Sequence, residues 1–515
     1  MKCNNYDKIV WSKQYRRLKR LPGKRIVGFD TETSEGKAYL MADSVNNVRW
    51  VKSFDDCLDF LTRFRRRHEL NFFWNIDYDL FAVLKFLGRS ERRQLWELGW
   101  LGDNRCRLKW IPHKKFSIRV NNNSFCFYDL YQYFAMSLDR AAERYLGKRK
   151  LEMDPERLND RRWVREHWRL VEAYCRRDAS LTAELGYYLR SLMGAKDIDF
   201  SKPVSPANVA QRYFLQHNRI PAFRRNDVQR WAFASYAGGR FEVFKRGHFP
   251  DLYVYDINAA YPYEISRLLD ITRGTWAYSR RVPDNAEYGF IRVGVSVSDD
   301  YVDPLPVNFK GVRVFPDLRD DERIITLDEL QFIRDHYDVD LKIRGGIFFF
   351  PSERVELFPN LGELYRERER LKAEGNDLYW VLKIIMNSLY GKFIELRRSY
   401  HRVGDPHEAD YLYVGKDGVP VPCKTVFKSG NLFCPVYASI ITSRVRLRLL
   451  EKFLEHSGTP RCGIYGLSPA RRQDGGRRRW LRGMEFKESW RGPGDRQRGL
   501  YDSKRRPHRH AVQGF

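Results

Sequence analysis

The amino-acid sequence predicts a mixed fold, α/β in its first part and α+β further on, divided among several domains. Its 515 residues are enough for two to four domains with ample core. Hydrophobic residues make up 43% of the chain and aromatic residues 15%, which is typical of a folded globular protein. Apolar strand-like runs at 25–33 and 252–255 alternate with helix-periodic runs at 163–189 and 361–393.

The charge balance points to a polyanionic partner. A net charge of +27 favours nucleic acid or an anionic membrane surface. No apolar run reaches membrane-spanning length and the N-terminus shows no signal-peptide pattern, so we expect nucleic acid and no membrane. The eight cysteines are scattered without a CxxC pair, which argues against a zinc cluster or disulfide framework and predicts a reducing compartment.

Two carboxylates stand on the first strand-like run. Asp30 and Glu32 are two residues apart, and side chains at i and i+2 of a strand point to one face. Acidic groups on one face repel each other unless a cation lies between them. A surface strand is the more common explanation of such a pair when it is taken alone.

Two further sets of polar residues follow: Asn75, Tyr78 and Asp79 in and after a strand expected at 72–80, then Tyr174 and Asp178 in the helix-periodic run. Tyr174 and Asp178 are four apart and therefore share a helix face. Asp79, taken alone, is equally consistent with a helix N-cap.

Together the patterns DxE, Nx2YD and Yx3D resemble, in this order, the 3′–5′ exonuclease motifs of family B DNA polymerases. The resemblance implies an RNase H-like α/β domain with Mg²⁺ or Mn²⁺ in a two-metal site. It implies the following roles: Asp30, Glu32, Asp79 and Asp178 as metal ligands, Tyr174 as the group that orients the attacking water, and Asn75 and Tyr78 as contacts to the single-stranded 3′ end. Ser137 and Leu138 resemble a further single-strand-binding motif of these exonucleases.

A second carboxylate stands at the end of the apolar run at 252–255. Asp256 follows that run, and Tyr261 and Pro262 come after a turn-prone segment. A carboxylate at a strand end suits a divalent metal. An aspartate that caps the next helix explains the same pattern equally well.

The segment from Asp256 to Pro262 resembles polymerase motif A of the same family, from which it departs at Ala259 and Ala260. The resemblance implies that Asp256 binds both catalytic metals. It also implies that Tyr261 stacks under the incoming sugar and excludes a 2′-hydroxyl.

A glycine pair precedes this segment. Tyr236, Gly238, Gly239 and Arg240 resemble the YxGG motif that joins the exonuclease and polymerase domains in the protein-primed branch of the family. There it helps to bind the primer-template, and Arg240 with the nearby Lys245 would suit a phosphate backbone.

The pattern Kx3NSxYG within a helix expected at 361–393 is the most specific match in the chain. It resembles motif B of family B polymerases and comprises the nucleotide-binding residues Lys383, Asn387, Tyr390 and Gly391. The resemblance implies that Lys383 binds the phosphates of the incoming dNTP and that Tyr390 supports the nascent pair. An amphipathic helix with a glycine C-cap is the alternative.

Three other segments match the protein-primed branch by position. Residues 264–355 correspond to an insertion that helps to hold a terminal protein and DNA. Residues 395–430 correspond to a second insertion, a hairpin linked to strand displacement, and 431–450 resemble the palm helix before motif C.

The resemblance fails after Tyr465. Motif C, YxDTDS, would supply the second metal-binding aspartate, but the chain reads Tyr-Gly-Leu-Ser from Tyr465. Residues 466–515 are rich in arginine and glycine, without sustained apolar periodicity, and no thumb domain is recognisable. A shift of the reading frame near Tyr465 and a divergent basic tail that binds nucleic acid are the two explanations.

These observations define the expected organisation: an RNase H-like exonuclease domain at 1–195, a linker at 196–235, polymerase palm and fingers at 236–465, and a frameshifted or disordered tail at 466–515. We expect a DNA-directed DNA polymerase with a proofreading exonuclease that replicates DNA from a protein primer. An exonuclease alone, or a synthesis-defective DNA-binding protein, is the alternative. The implied partners are primer-template DNA, single-stranded DNA, dNTPs and a terminal protein, in the interior of a host cell carrying a phage, a virus or a mitochondrial plasmid.

Overall fold

The computed structural model describes residues 6–11, 23–102, 106–218, 220–242, 251–297, 302–309, 312–316, 318–319, 321–414, 419–457 and 484–491. Within these ranges the side chains of 251–256, 308–309, 312, 413–414, 456–457 and 484–491 are not described. No helix of the described residues is long and apolar enough to cross a membrane.

The first domain is built on one mixed sheet of eight strands in the order β4-β3-β2-β5-β9-β8-β7-β6. The strand β1 (Ile9–Val10) lies outside it, and the eight members are β2 (Ile26–Ser34), β3 (Lys37–Asp43), β4 (Val48–Trp50), β5 (Leu70–Phe73), β6 (Trp100–Gly102), β7 (Arg107–Ile111), β8 (Lys115–Val120) and β9 (Asn123–Asp129). The central pairs β2–β5 and β5–β9 are parallel, and the other pairs are antiparallel. Helices cover this sheet, as the α/β prediction requires.

The helices of the first domain are α1 (Phe54–Leu61), α2 (Ile76–Leu84), α3 (Arg89–Leu98), α4 (Tyr131–Phe134), α5 (Leu138–Leu146), α6 (Arg161–Glu166) and α7 (Trp168–Gly194), with 3₁₀ turns at Phe64–His68 and Arg157–Asn159. The strand expected at 72–80 is wrong in extent, because β5 ends at Phe73 and α2 begins at Ile76. The helix expected at 163–189 is divided at His167 into α6 and α7.

Helix α7 lies directly against strand β2 because residue 28 is glycine. A Cβ at Gly28 would overlap the carbonyl oxygen of Ala179 and lie 2.6 Å from the amide nitrogen of Ala183. Farther along the same helix, a Cβ at Gly186 would lie 3.0 Å from Ile26. The close approach brings the polar face of α7 over the carboxylates of β2.

The connector and the palm contain helices α8 (Pro206–His217), α9 (Asn226–Ser235), α10 (Ala260–Ser266) and α11 (Leu327–His336) and strands β10 (Asp251–Ile257), β11 (Gly274–Ser279), β12 (Tyr288–Ser296), β13 (Val307–Phe309), β14 (Val312–Val314), β15 (Asp321–Thr326) and β16 (Asp340–Pro351). Strands β11, β16, β12 and β15 form an antiparallel sheet in that order, and β13 pairs with β14. Helix α11 begins with a capping box formed by Thr326 and Glu329.

The helix expected at 361–393 is two helices. α12 (Leu361–Ala373) and α13 (Leu378–Asn387) are separated at Gly375, which has a positive φ of 67°, and a 3₁₀ turn at Tyr390–Ile394 follows. A glycine in this conformation ends a helix without steric cost. The break is hidden in the sequence because the buried leucines Leu364, Leu371 and Leu378 keep a helical spacing of seven residues across it.

The segment expected to be a second insertion forms a sheet of β17 (Leu396–Arg402), β18 (Tyr411–Val414) and β19 (Pro420–Ser429), followed by α14 (Pro435–Ser457); a 3₁₀ turn lies at Pro406–Glu408. Strand β1 joins this sheet in parallel with β19. The first-domain boundary at residue 1 therefore needs correction, because residues 9–10 belong to the sheet of the second insertion.

The tail contributes one described strand, β20 (Met484–Arg491), which pairs antiparallel with β10. The expectation of a tail without ordered structure does not hold for this segment. Met484 and Phe486 alternate with Glu485 and Lys487, which is the strand signal that the high arginine content obscures.

One apolar core joins the two halves of the chain. Trp380 of α13 packs on Phe134 and Tyr145 of the first domain, with ring centroids 5.1 and 5.8 Å apart. The Tyr188 hydroxyl donates a hydrogen bond of 2.7 Å to Asp377 across the same boundary. Contacts of this kind hold the two halves in a fixed relation.

Candidate functional site

The first candidate site lies between β2 and α7. Asp30 and Glu32 share one face of β2, and helix α7 places Cys175 beside them. One ligand atom from each of these three residues lies within 4.8 Å of the other two. Glu32 and Cys175 are buried, and Asp30 is partly exposed, so the group opens toward solvent on one side.

Two further carboxylates complete the group. Asp79, in the first turn of α2, and Asp178 of α7 are both buried, at 4% and 3% exposure. Burial and the charge of Asp30 raise the pKa of the Asp79 carboxyl well above its ordinary value. The same two causes raise the pKa of Asp178 to about 7.

The charged form of Glu32 is destabilised by its burial and by the neighbouring carboxylates. Burial raises its pKa well above the ordinary value, and the charges of Asp30 and Asp178 add to the effect. Oε1 of Glu32 and Oδ1 of Asp178 are buried without a hydrogen-bond partner among the described residues. Carboxylate oxygens that repel one another and lack donors fit a hard divalent cation, so the donor set agrees with the two-metal expectation.

Lys150 belongs to this site, although the sequence analysis did not identify it. Its Nζ lies 2.5 Å from Oδ2 of Asp178 and 4.9 Å from the centre of the Tyr174 ring. Its charge lowers the pKa of Asp178 against the effect of burial. A lysine in the basic run from Lys148 to Lys150 carries no sequence signal that separates it from a solvent-exposed charge.

Cys175 was also missed. It is completely buried, and its sulfur lies within 4.8 Å of a carboxylate oxygen of Asp30 and of Glu32. It lies between Tyr174 and Asp178 in sequence, so the motif pattern alone contains it without marking it.

The residues expected to bind a single-stranded 3′ end lie around the carboxylates. Tyr78 is 58% exposed, and its hydroxyl lies 3.0 Å from that of Thr33. Asn75 is the N-cap of α2 in a left-handed conformation, with φ of 61°. Its backbone N–H donates a hydrogen bond to Oδ1 of Asp129. The alternative of Asp79 as the N-cap is therefore wrong, since Asp79 lies inside the helix.

The structure places Ser137 and Leu138 at the start of α5. The hydroxyl of Ser137 caps the helix by accepting from the Arg140 amide, and Leu138 is in the apolar core at 7% exposure. The capping hydroxyl and the buried leucine account for both residue types structurally. Their DNA-binding role stays a prediction.

The second candidate site lies where α10 meets the turn after α13. The rings of Tyr261 and Tyr390 stack with centroids 4.0 Å apart and planes inclined by 15°. Burial raises the pKa of Tyr261 to about 12. Ala259, with φ of 51°, makes the left-handed turn that leads from β10 into α10. The stacked pair joins the motif A and motif B segments.

Asp256 is the next-to-last residue of β10, and its backbone pairs with that of Glu485 in β20. The side chain of Asp256 lies outside the described ones. The motif C position after Tyr465 also lies outside the described residues, and so does Lys245, which follows the glycine pair in sequence.

Helix α13 presents two of the motif B residues to solvent. Lys383 and Asn387 are exposed and four residues apart, while Leu382, Ile385 and Met386 are buried against the core. Gly391 lies in the 3₁₀ turn, and nothing approaches within 4 Å of the place where its Cβ would be. The helix ends at Ser388, so the alternative of a glycine C-cap is wrong.

The glycine loop at Tyr236–Arg240 is held by arginines. Arg446 of α14 donates to the carbonyls of Ala237 and Gly238 at 3.1 and 2.7 Å. Arg313 of β14 donates to the carbonyl of Gly239 at 2.7 Å. These contacts fix the loop beside the tyrosine pair.

Arg240 differs from the expectation of a phosphate contact. Its side chain is 5% exposed and forms an ion pair with Glu242. It also donates a hydrogen bond of 2.8 Å to the carbonyl of Asp303. The guanidinium also lies 4.0 Å from the ring centre of Phe315. Arg240 holds the loop against the first insertion instead of facing outward.

The chain is similar to a known protein family. The model of the family described as DNA polymerase type B, organellar and viral, matches residues 111–395. The chain belongs to this family. Within the matched range lie Tyr174 and Asp178, the glycine loop, the motif A segment and the stacked tyrosine pair.

Two relatives are DNA polymerases by name. The DNA polymerase of Acidianus bottle-shaped virus (isolate Italy/Pozzuoli) is 22% identical in an alignment of 444 residues that covers 76% of this chain and 63% of that protein. A probable DNA polymerase of Ascobolus immersus is 25% identical in an alignment of 235 residues that covers 43% of this chain and 19% of that protein. The chain therefore spans less than two thirds of the length of either relative.

Solved structures of Phi29 DNA polymerase share the fold. The complex with primer-template DNA has a TM-score of 0.55 at 14% identity and covers 82% of this chain and 76% of that one. An orthorhombic crystal form has a TM-score of 0.56 at the same identity and covers 84% and 77%. The likeness supports the prediction of an exonuclease domain followed by a palm and fingers.

Proposed function

We propose that this chain is a DNA-directed DNA polymerase with a 3′–5′ proofreading exonuclease, and that it replicates DNA from a protein primer. The observation that carries the proposal is the group of four carboxylates, Asp30, Glu32, Asp79 and Asp178, in a chain of the organellar and viral type B polymerase family. The relatives with polymerase names and the Phi29 fold support it.

In the proposed exonuclease, the four carboxylates hold Mg²⁺ or Mn²⁺, which supplies electrostatic stabilisation of the charge that develops on the scissile phosphate. Lys150 holds the Asp178 carboxylate in place through their contact of 2.5 Å. The Tyr174 hydroxyl orients the attacking water. The exposed ring of Tyr78 contacts the single-stranded 3′ end, beside Asn75 and the segment of Ser137 and Leu138.

In the proposed polymerase, Asp256 holds metal, and Lys383 and Asn387 face solvent where an incoming dNTP can reach them. The Tyr261–Tyr390 stack contacts the sugar and the nascent pair, with Gly391 leaving room beside it. The loop of Tyr236, Gly238, Gly239 and Arg240 positions the primer-template. A terminal protein is the proposed primer, and the interior of an infected host cell or a mitochondrion is the proposed location.

A chain that works as an exonuclease alone is the second candidate function. The observation in its favour is that Tyr465 is followed by Gly-Leu-Ser where motif C would supply an aspartate. The exonuclease carboxylates, in contrast, are all present and adjacent. The coding DNA separates the explanations of this difference: a shifted frame must open downstream of Tyr465 onto an aspartate-containing strand and a thumb, and a native tail must not.

The activities are tested with a 5′-labelled primer-template, Mg²⁺, and dNTPs added or withheld. Extension with dNTPs that is lost in Asp256→Asn supports the polymerase. Shortening without dNTPs that is lost in Asp30→Asn supports the exonuclease. An exposed carboxylate on α6, Glu166, gives the matched control: Glu166→Gln should change neither activity. Absence of both activities from the folded wild-type chain would contradict the proposal.

A further inference from the structure

The exonuclease carboxylates have a thiol among them. The Cys175 side chain is completely buried, and it lies beside the carboxyl groups of Asp30 and Glu32. Its sulfur lies within 4.8 Å of a carboxylate oxygen of Asp30 and of Glu32. Sulfur is a soft ligand and oxygen a hard one, so this donor set differs from one made of carboxylates only.

We propose that Cys175 makes this site a binding site for thiophilic divalent cations, such as Zn²⁺ and Cd²⁺, which compete there with Mg²⁺. The inference rests on the proposed exonuclease for its consequence, but the binding site itself rests on the observed donors. A thiophilic cation held by sulfur would occupy the carboxylates that catalysis needs and would suppress removal of the 3′ end.

The geometry suits one cation. Zinc binds sulfur at about 2.3 Å and carboxylate oxygen at about 2.0–2.2 Å, so donors that share it in a tetrahedral site lie roughly 3.5 Å apart. The donor atoms of Asp30, Glu32 and Cys175 all lie within 4.8 Å of one another, so rotation of these side chains can bring them to one cation.

Unpartnered oxygens provide a second, independent indication of a ligand. Oε1 of Glu32, a residue that is 6% exposed, is buried without a hydrogen-bond partner among the described residues. Oδ1 of Asp178 is in the same condition, and it is the free oxygen of the carboxylate that Lys150 holds. A buried acceptor without a donor costs free energy that a cation recovers.

Coordination places one cation between the Cys175 sulfur and the Asp30 and Glu32 carboxylates, which lie close together without it. The thiol proton leaves to solvent as the sulfur–metal bond forms, and no electron is transferred. Mg²⁺ gains little from sulfur, because it prefers oxygen ligands and retains its waters. Cys175 should therefore strengthen the binding of Zn²⁺ and Cd²⁺ far more than that of Mg²⁺.

Direct binding is measured by titrating the full chain with Cd²⁺ and following the ultraviolet thiolate-to-cadmium charge-transfer band. We expect a saturable phase in the wild-type protein that survives excess Mg²⁺. Cys175→Ser and Cys175→Ala should weaken this phase by roughly 10- to 100-fold or remove it. Cys57→Ser is the matched control, because Cys57 is equally buried but packs within the apolar cluster around α1, and it should leave the phase unchanged.

A third variant decides the matter if the Cys175 variants do not fold. Asp30→Asn retains the thiol and removes a carboxylate ligand, so it should weaken Cd²⁺ binding as well. A wild-type chain without a charge-transfer band overturns the proposal. A band of unchanged affinity in folded Cys175→Ser, or in Asp30→Asn, also overturns it.

The consequence for catalysis is measured separately as the Zn²⁺ concentration that halves 3′-end removal in constant Mg²⁺. Each variant is compared with its own rate without Zn²⁺. This concentration should rise roughly tenfold or more from wild type to Cys175→Ser, and an unchanged value would contradict the inference. Failure of 3′-end removal in the wild type would overturn the proposed exonuclease and leave the Cd²⁺ result standing.

Discussion

Arg446 offers the sharpest test of how the polymerase half is held together. Its side chain is 2% exposed, the guanidinium lies 2.5 Å from Oε1 of Glu329, and it donates to the carbonyls of Ala237 and Gly238. Arg446→Met keeps the apolar stem and removes every one of these donors. The variant leaves a buried carboxylate without its cation and two loop carbonyls without their donor.

The expected cost can be worked from these contacts. Removing one partner of a buried ion pair costs about 3–5 kcal/mol. The other oxygen of Glu329 still accepts from the amide and hydroxyl of Thr326, at 2.9 and 3.2 Å, so the carboxylate is not isolated. We therefore expect the lower end of the range, about 3 kcal/mol, from urea unfolding followed by fluorescence.

Two comparisons make this prediction refutable. Lys452→Met removes an ion pair from the same helix that is partly exposed and should cost about 1 kcal/mol or less. Glu329→Gln combined with Arg446→Met should cost less than the sum of the single changes by roughly 0.5–3 kcal/mol, because the charge is removed with its partner. A cost of Arg446→Met no larger than that of Lys452→Met would refute the reasoning. Primer extension should fall more than 3′-end removal, since the lost donors hold the glycine loop.

Three other variants test the remaining contacts. Lys150→Met removes the charge that lowers the pKa of Asp178, so that pKa should rise above about 7. The rate of 3′-end removal at pH 7 should then fall and recover at alkaline pH, and an unchanged pH–rate profile would refute this role. Gly28→Ala forces α7 away from β2 and should lower the free energy of unfolding by roughly 1–3 kcal/mol or more. The variant should show a lower Tm and a selective loss of 3′-end removal. A wild-type Tm would show that the helix has room for the added methyl group. Tyr261→Val removes the ring stacked on Tyr390, so incorporation of ribonucleotides relative to deoxynucleotides should rise in extension assays, and a constant ratio would show that another group excludes the 2′-hydroxyl.

The spacing of nearby residues in the sequence predicted which side chains share one face of a strand or helix. The i and i+2 spacing placed Asp30 and Glu32 on one face, and the i, i+4 spacing placed Tyr174 and Asp178 on another, as the structure shows. The resemblance to polymerase motifs then brought Asp79 to the same site, although no spacing in the sequence connects it with the other carboxylates.

The contacts that the sequence did not reveal join distant parts of the chain. Arg446 holds a loop more than 200 residues earlier in the sequence, at 208 and 209 positions from Gly238 and Ala237. Lys150 reaches Asp178 from a basic run that looks like solvent-exposed surface. Such pairs depend on how helices pack, and packing leaves no periodicity in one sequence. The break at Gly375 was hidden for a different reason, because the apolar spacing of Leu364, Leu371 and Leu378 continues across it.

The two candidate sites differ in how their carboxylates are distributed along the chain. The exonuclease group takes its ligands from β2, α2 and α7, all within the first domain and all described. The proposed polymerase group takes Asp256 from β10, and the resemblance to motif C places its partner on a strand after the long helix α14. In the structure the strand beside β10 is β20, with Glu485 opposite Asp256 in the register. Directly opposite residues of an antiparallel pair lie on the same face of a sheet. In the proposed polymerase, a second carboxylate would enter on a strand beside β10. If the reading frame is shifted after Tyr465, that strand would come from the alternative frame and not from β20.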